Sequence, residues 1–384
     1  MIGIENQYIF SFTIAHFKDF LNKGDLQKLI IEEKSGNIPP LIEIHFQTKI
    51  IELTEYLNEG NLFNINIGKT ITESKLIEAV ILKLSVSRVS TDYISVSIYG
   101  TISSMINYTS NQIQKAYKDM TALVVTSTIL SKHATSIDSF VKADNSKQSS
   151  WIQTNQTDKE MVDTVLLRYY TKGSFLINSI LADGSFIIRD LNSVTDKKHS
   201  WRFIYPDGHI TSSKDINYNH DVTYLNNTGF SNKWAGVPKQ RYQYDLIEDS
   251  YTLHSSYGVK PIFTSSNMNI NSKYGNRYDP TQLFSDNVHD NYVKAIGNYK
   301  QSVSLFSSHS LKLSYSNLYK EVRPLELVMF LDTPTHYSNI PDYYSGNYLV
   351  SKVSSIYENS NFRQVIELTR ESLNKLTGDF MPPT

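Results

Sequence analysis

Apolar and polar residues alternate at both ends of the chain. In residues 8–14, Tyr8, Phe10, Phe12 and Ile14 fall on one side, the period-two signature of a strand with one buried face. Residues 93–99 repeat it: Ile94, Val96 and Ile98 on one side, Tyr93, Ser95, Ser97 and Tyr99 on the other. Residues 41–53 are predicted as one long β-rich stretch, with Ile42, Ile44 and Phe46 alternating before Ile50, Ile51 and Leu53. Residues 77–89 form a further strand, set off from 93–99 by Ser90, Thr91 and Asp92. Gly24, Gly36-Asn37 with Pro39-Pro40, residues 58–61 and Gly68 punctuate the series, and strands at this spacing predict a barrel or sandwich. At the other end, residues 346–357 and 362–370 predict a long hairpin across residues 358–361. Phe362, Gln364, Ile366 and Leu368 share one face, and Arg363, Glu367 and Thr369 mostly face water. Residues 311–313 and 325–331 are the apolar centres of two more strands.

The period changes in the middle. Residues 118–133 are predicted helical, with Met120, Leu123, Val124, Ser127 and Leu130 toward the core. Residues 143–150 are polar and read as a linker. Trp151 then leads into Thr157-Asp158-Lys159-Glu160, the S/T-x-x-E pattern of a capping box. The helix that follows aligns Met161, Val162, Val165, Leu166 and Tyr169, and Lys172-Gly173 ends it. Asp183-Gly184 between residues 175–181 and 185–191 is a strong hairpin signal, and Pro206-Asp207-Gly208 marks another turn after residues 201–205. From 211 to about 300 the periodicity is weak, with residues 290–299 readable as one helix. The chain is thus α+β and mostly β, divided into 1–145 (strands and a trailing helix), 146–210 (helix plus hairpin), 211–300 (short strands and helices carrying an irregular insertion) and 301–384 (strands again). No internal repeat is visible.

Composition narrows the function classes. Lys and Arg total 37 against 38 for Asp and Glu, a net charge of −1 in 384 residues. A surface that binds nucleic acid along its length usually shows a basic excess. There is no cysteine, which removes disulfides, thiolate metal sites and cysteine nucleophiles. No signal peptide and no 18-residue apolar run is visible. Twenty-six tyrosines favour strands and wide protein interfaces.

Candidate chemistry is sparse. Residues 66–70, Asn-Ile-Gly-Lys-Thr, carry the Gly-Lys-Thr end of a phosphate loop, but Phe63 stands where the motif needs its first glycine. A strand-end turn is the expected role. Residues 286–291 bring oxygen ligands together, yet Asn291 and Gly297 occupy the positions where a calcium loop needs glycine and glutamate. His199, His209 and His220 straddle a turn without a ligand pattern. No Gly-x-Ser-x-Gly elbow is present. No residue is assigned a catalytic, cofactor-binding or metal-ligating role, and no cofactor is expected.

Two stretches carry a resemblance. Residues 151–191 join Trp151, a capped helix, a hairpin turning at Asp183-Gly184 and a strand ending Arg189-Asp190. Residues 323–374 hold Ser345-Gly346, Tyr348 and Val350, then a hairpin into a strand ending Leu368-x-Arg370. Together they resemble the central baseplate hub proteins of contractile-tailed bacteriophages, the late-control-D and type VI spike-hub group. Leu325-Glu326-Leu327-Val328 stands where that family often has Gly-Asp-x-Val. The resemblance implies two tail-tube-like β-barrels with α/β segments inserted between them. It also implies a non-enzymatic homotrimer whose six barrels match a hexameric tail tube on one face and a trimeric central spike on the other. Other baseplate proteins would be partners, DNA would pass through the ring without sequence-specific binding, and no membrane insertion would occur. The implied location is the virion tail baseplate, assembled in the host cytoplasm. A peripheral adhesin or receptor-binding protein, and a tail-associated cell-wall hydrolase with carboxylates in 211–300, are the competing readings.

Overall fold

The structure, a computed structural model, describes residues 8–14, 17–21, 25–49, 51–70, 72–141, 149–169, 171, 176–194, 198–206, 208, 210–225, 240–245, 249–255, 278–280, 295–296, 299, 302–303, 306, 308–332, 344–358 and 361–371. The alternating N-terminal sequence forms β1 (Ile9–Ile14), β2 (Phe17–Leu21), β3 (Leu26–Lys34), β4 (Leu41–Thr48), β5 (Leu62–Gly68), β6 (Ser74–Arg88) and β7 (Ile94–Ile102). They pair in the order β2-β1-β5-β6-β7-β4-β3, every pair antiparallel. The predicted faces hold: Tyr8, Phe10, Phe12, Ile14, Ile94, Val96 and Ile98 are buried. Residues 41–53 are not one strand. β4 stops at Thr48, and Leu53 reaches the core from a 3-10 turn, Ile51–Glu55.

Short elements follow: α1 (Met105–Ser110), β8 (Gln112–Met120), α2 (Ala122–Leu130), β9 (Ile137–Phe140), β10 (Ser149–Thr157), α3 (Asp158–Leu167), β11 (Leu176–Ile180), β12 (Phe186–Asp190) and α4 (Leu191–Val194). The predicted helix at 118–133 is corrected at its start, because Lys118, Asp119 and Met120 belong to β8 and Thr121 caps α2 through the Val124 N–H. Its buried face is also shifted: Ala122, Val125, Thr126, Ile129 and Leu130 point inward and Val124 is exposed. Apolar β-branched residues lie all round this helix, so spacing alone does not select a face. Ser149 and Ser150 open β10 rather than a linker, while residues 142–148 lie outside the described residues. β10 pairs with β8, and the Trp151 indole donates to the Met120 carbonyl at 3.0 Å.

α3 begins as its sequence predicts. Thr157 Oγ1 accepts from the Glu160 N–H at 3.2 Å, and Glu160 accepts from the Thr157 N–H at 2.8 Å, a reciprocal capping box. Met161, Val162, Val165, Leu166 and Tyr169 are all buried. The hairpin β11–β12 turns at Gly184, whose φ of +78° suits a residue without Cβ. A Cβ there would also stand 3.0 Å from Thr135 Cγ2.

The C-terminal part contains β13 (Trp201–Ile204), β14 (Asp215–Asn217), β15 (Thr223–Leu225), β16 (Gln240–Asp245), β17 (Ser250–Ser255), β18 (Tyr278–Pro280), β19 (His309–Tyr315), β20 (Leu327–Phe330), β21 (Gly346–Glu358) and β22 (Asn361–Arg370). The predicted 346–370 hairpin is β21–β22. Thr369 is corrected from water-facing to buried. Of the predicted 290–299 helix, Ala295, Ile296 and Tyr299 are helical and the rest lies outside the described residues. Among the described residues, no helix is long and apolar enough to cross a membrane.

β21 joins the two ends of the chain. Its residues 352–358 pair with residues 28–34 of β3, and its start pairs with β20. One sheet therefore runs from β2 to β14 without a break. On one face of this sheet lie an N-terminal core around Phe12, Phe46 and Phe63 and a C-terminal core around Phe203, Tyr315 and Phe330. A third cluster, with Leu181, Ile187, Leu325 and Leu327, packs the β11–β12 hairpin against the C-terminal half. The fold is mostly β with few helices.

Candidate functional site

The place where the halves meet carries a group of polar side chains between two apolar cores. Along β3, Leu29 and Ile31 face the N-terminal core, and the next inward position is Glu33. Across β21 and β22 the apolar series breaks one inward row away, opposite Ile31: Ser355 and Gln364 interrupt Val353, Tyr357, Phe362 and Ile366. A polar seam thus separates the cores, and it opens into a cavity of about 70 Å³. Glu33, Lys75, Asp183, Glu321, Tyr357 and Gln364 are among its lining residues.

Each polar group in the seam has a defined partner. Glu33 accepts from the Ala182 N–H at 2.7 Å, tying β3 to the hairpin. The same junction is stitched by the Gly36 N–H to the Asn178 carbonyl at 2.6 Å and by Ser179 Oγ to the Lys34 carbonyl at 2.7 Å. Gln364 Oε1 accepts from the Val322 N–H at 3.1 Å, and Gln364 Nε2 donates to Ser355 Oγ at 2.9 Å. Lys75 pairs with Glu321. Burial pushes the Glu33 carboxyl up to about 7, with the Ala182 N–H and the Lys75 charge opposing. Glu326, just before β20, accepts from the Trp201 indole at 3.1 Å and the Arg323 N–H at 3.2 Å. Burial pushes its carboxyl up to about 6.

The opposite face of the sheet is polar and half-exposed. Rows such as Ser85, Ser97, His45, Lys28 and Glu358, and Lys83, Tyr99, Glu43, Ile30 and Ile356, run across β6, β7, β4, β3 and β21. Charges are interleaved: Glu32 contacts Lys34 at 2.6 Å and Lys352 at 2.5 Å, and His45 bridges Glu43 at 2.5 Å and Ser97 at 2.8 Å.

The sequence candidates fall elsewhere. Gly68 and Lys69 form a strand-end turn in which a Cβ at Gly68 would come within 2.3 Å of the Glu73 carbonyl oxygen, and Lys69 lies over the Tyr319 ring at 4.9 Å. This matches the expected turn. Residues 286–291 and His209 lie outside the described residues. His199 is held below the usual imidazole range by burial and by Lys214 and Arg202, and His220 sits 6.2 Å from the Tyr205 ring. Among the described residues, no cluster of three or more His, Asp or Glu could hold a metal ion. Sequence reasoning missed Glu33 and Glu326. The usable signal for the first was a carboxylate on the apolar phase of a strand.

No protein-family model matches the chain, and none of the curated proteins matches it in sequence. Solved structures do match in fold. A tail protein from Neisseria meningitidis MC58 superposes with a TM-score of 0.59 at 11% identity, over 95% of this chain and 97% of that one. The 43 kDa tail protein of prophage MuSo2 from Shewanella oneidensis gives 0.57 at 10% identity, over 95% and 97%. A component of the E. coli type VI secretion system, described as similar in structure to the T4 bacteriophage tail proteins gp27 and gp5, gives 0.54 at 9% identity, over 96% and 79%. The fold is that of phage-type tail and spike-hub proteins, as the resemblance in residues 151–191 and 323–374 implied.

Proposed function

We propose that this chain is the structural hub of a phage tail baseplate, a homotrimeric and pseudo-hexameric ring that joins the hexameric tail tube to the trimeric central spike. The observation that carries the reading is the extent of the fold likeness: it spans nearly the whole length of this chain and of two tail proteins. Two hydrophobic cores side by side on one sheet support two tube-like barrels per chain, the arrangement by which three copies meet a sixfold neighbour. The domain division 1–145, 146–210, 211–300 and 301–384 belongs to the same proposal. Interleaved charges on the polar face suit a wall that DNA passes without being read, since among the described residues no continuous cationic track runs along it. The role is non-enzymatic, with tube, spike and other baseplate proteins as partners, in a virion baseplate assembled in the host cytoplasm.

Light scattering on the purified chain, alone and with its spike protein, tests this. The expected mass is three times that of the chain, and negative-stain averages should show a ring with a central hole and a near-sixfold face. A compact monomer that ignores both spike and tube would move the assignment to a peripheral adhesin. Lysis of peptidoglycan by the purified chain would move it to a hydrolase.

A further inference from the structure

The strand order repeats within the chain. β3-β4-β7-β6-β5-β1-β2 in the N-terminal half answers to β15-β19-β22-β21-β20-β13-β14 in the C-terminal half, and the matched strands come in the same order along the sequence. The likeness extends to detail. β6 and β21 are each the long first strand of a hairpin, and each bulges midway, between Ile81 and Lys83 and between Val350 and Lys352. At each bulge a residue with positive φ, Gly60 at +87° or Leu325 at +64°, donates its N–H to the Ile81 or Val350 carbonyl. The residue after it, Asn61 or Glu326, accepts the N–H of Ile81 or Val350 in return.

Beyond the bulge the two strands differ. Residues 352–358 of β21 pair with residues 28–34 of β3 in the other half, and Val353 and Tyr357 are enclosed. Among the described residues, residues 83–88 of β6 pair with β7 alone. On their core face, Leu84 stands beside the buried Ile98 and Val86 beside the buried Val96, yet Leu84 is only half-buried and Val86 is 41% exposed. The strand matched to β3 is β15, which pairs with β19 alone among the described residues and leaves Tyr224 and Leu225 exposed. Each chain thus holds one finished joint between halves and both sides of a second, unfinished one.

We propose that a second copy of this chain completes the second joint: residues 83–88 of β6 in one copy pair antiparallel with β15 of the next. The inference rests on the ring reading above and names its interface. The occupant follows from the match, since a margin built like that of β21 takes a strand built like β3. Within one chain β6 and β15 lie on opposite sides of the finished β21·β3 joint, so the β15 that fills the slot belongs to another copy. A contact between unlike margins passes from copy to copy and closes into a ring. Carrying the β21·β3 register through the matched ladders sets Val86 opposite Tyr224 of the partner subunit on the core face. The same register sets Ser85 opposite Leu225 of the partner subunit on the other face. Pairing satisfies the bare backbone of both margins and covers their exposed apolar side chains.

The chain has no cysteine, so engineered thiols report the joint directly. The full chain carrying Val86→Cys and Tyr224→Cys, oxidised in the presence of its spike protein, should give covalent dimers and a closed trimer on non-reducing gels. Ser85→Cys with Leu225→Cys should do the same without touching the core-facing side chains. Ser85→Cys with Tyr224→Cys puts the thiols on opposite faces and should give less than about a tenth of that product. Val86→Lys should raise the concentration needed for half-assembly about tenfold or more by light scattering, with an unchanged far-UV spectrum. A wild-type trimer whose two matched pairs fail to cross-link would overturn the proposal and leave the ring standing. Dimers from Val86→Cys alone would overturn it in favour of a twofold contact between like margins. A wild-type chain that stays monomeric with its spike, and matched pairs that stay unlinked, would overturn both.

Discussion

The N-terminal and C-terminal cores share a sheet but are built from different materials. The first is hydrocarbon at its centre: Phe12 lies 5.5 Å from Phe63 and 5.8 Å from Phe46, with Ile42, Ile44, Ile65, Val96 and Ile98 fully enclosed around them. The second mixes rings with polar groups. Tyr218, Tyr315 and Tyr348 are buried there beside Ser310, Ser314, Gln364 and Arg370. The Tyr348 hydroxyl donates to the Tyr344 carbonyl at 2.6 Å, and Arg370 stands 5.0 Å from the Tyr348 ring. Tyr315 accepts from the Val322 N–H at 3.2 Å, and its hydroxyl also meets the Lys320 carbonyl and Gln364. The contrast separates two ways of specifying structure. A hydrocarbon core depends on volume, whereas a polar core depends on every donor finding its acceptor.

Substitutions at three positions would sharpen or break that contrast. The largest effect is expected from Phe12→Ala, which should lower unfolding free energy by about 3–5 kcal/mol in urea titrations. Phe12→Leu, which keeps much of the volume, should cost far less. Next comes Asp215→Ala beneath the C-terminal core. Asp215 is enclosed, accepts from Arg202 Nε and Nη2 at 2.7 Å each, and also holds the Thr211 and Ser212 amides at 2.8 and 2.9 Å. Its removal leaves those donors unanswered, at a cost of about 2–3 kcal/mol at neutral pH. The Arg202 guanidinium holds this carboxyl well below its ordinary value of 3.8. Its contribution is therefore present above that value and lost as pH falls below it, so the mutant and wild-type curves should converge in acid. The smallest effect is expected for Tyr315→Phe, about 1–2 kcal/mol by thermal or urea denaturation, with almost no change in volume. A Tyr315→Phe protein as stable as wild type would remove the distinction between the two cores.

Legibility in the sequence followed the same divide. Period-two alternation sufficed for β1, β7 and β22, because an apolar core leaves an unambiguous trace. The capping box at Thr157–Glu160 and the turn at Asp183-Gly184 were readable because their chemistry is local. Thr369 was misplaced because a polar side chain was assumed to face water, whereas its hydroxyl bonds the Leu349 carbonyl at 3.4 Å inside the second core. The face of α2 was misread because nearly every position in it is apolar or β-branched. The pairing of β3 with β21 left no local mark at all, since partners such as Ile30 and Ile356 lie more than 300 residues apart. The seam was hidden for the same reason. Glu33 is one acid in an ordinary strand until the chain returns to enclose it.

That late return also sets the timing of folding. During synthesis, residues 26–34 emerge early and can pair with residues 41–48 at once. The other side of that strand then waits, its amides and carbonyls bare, until residues 352–358 leave the ribosome. Until then the nascent chain carries an unfinished sheet margin of the kind that invites pairing with a neighbouring chain. Three charged positions on that strand, Lys28, Glu32 and Lys34, face the polar side of the sheet and blunt the margin meanwhile. A stop anywhere between residues 48 and 352 would therefore leave the first half of the sheet with that margin open.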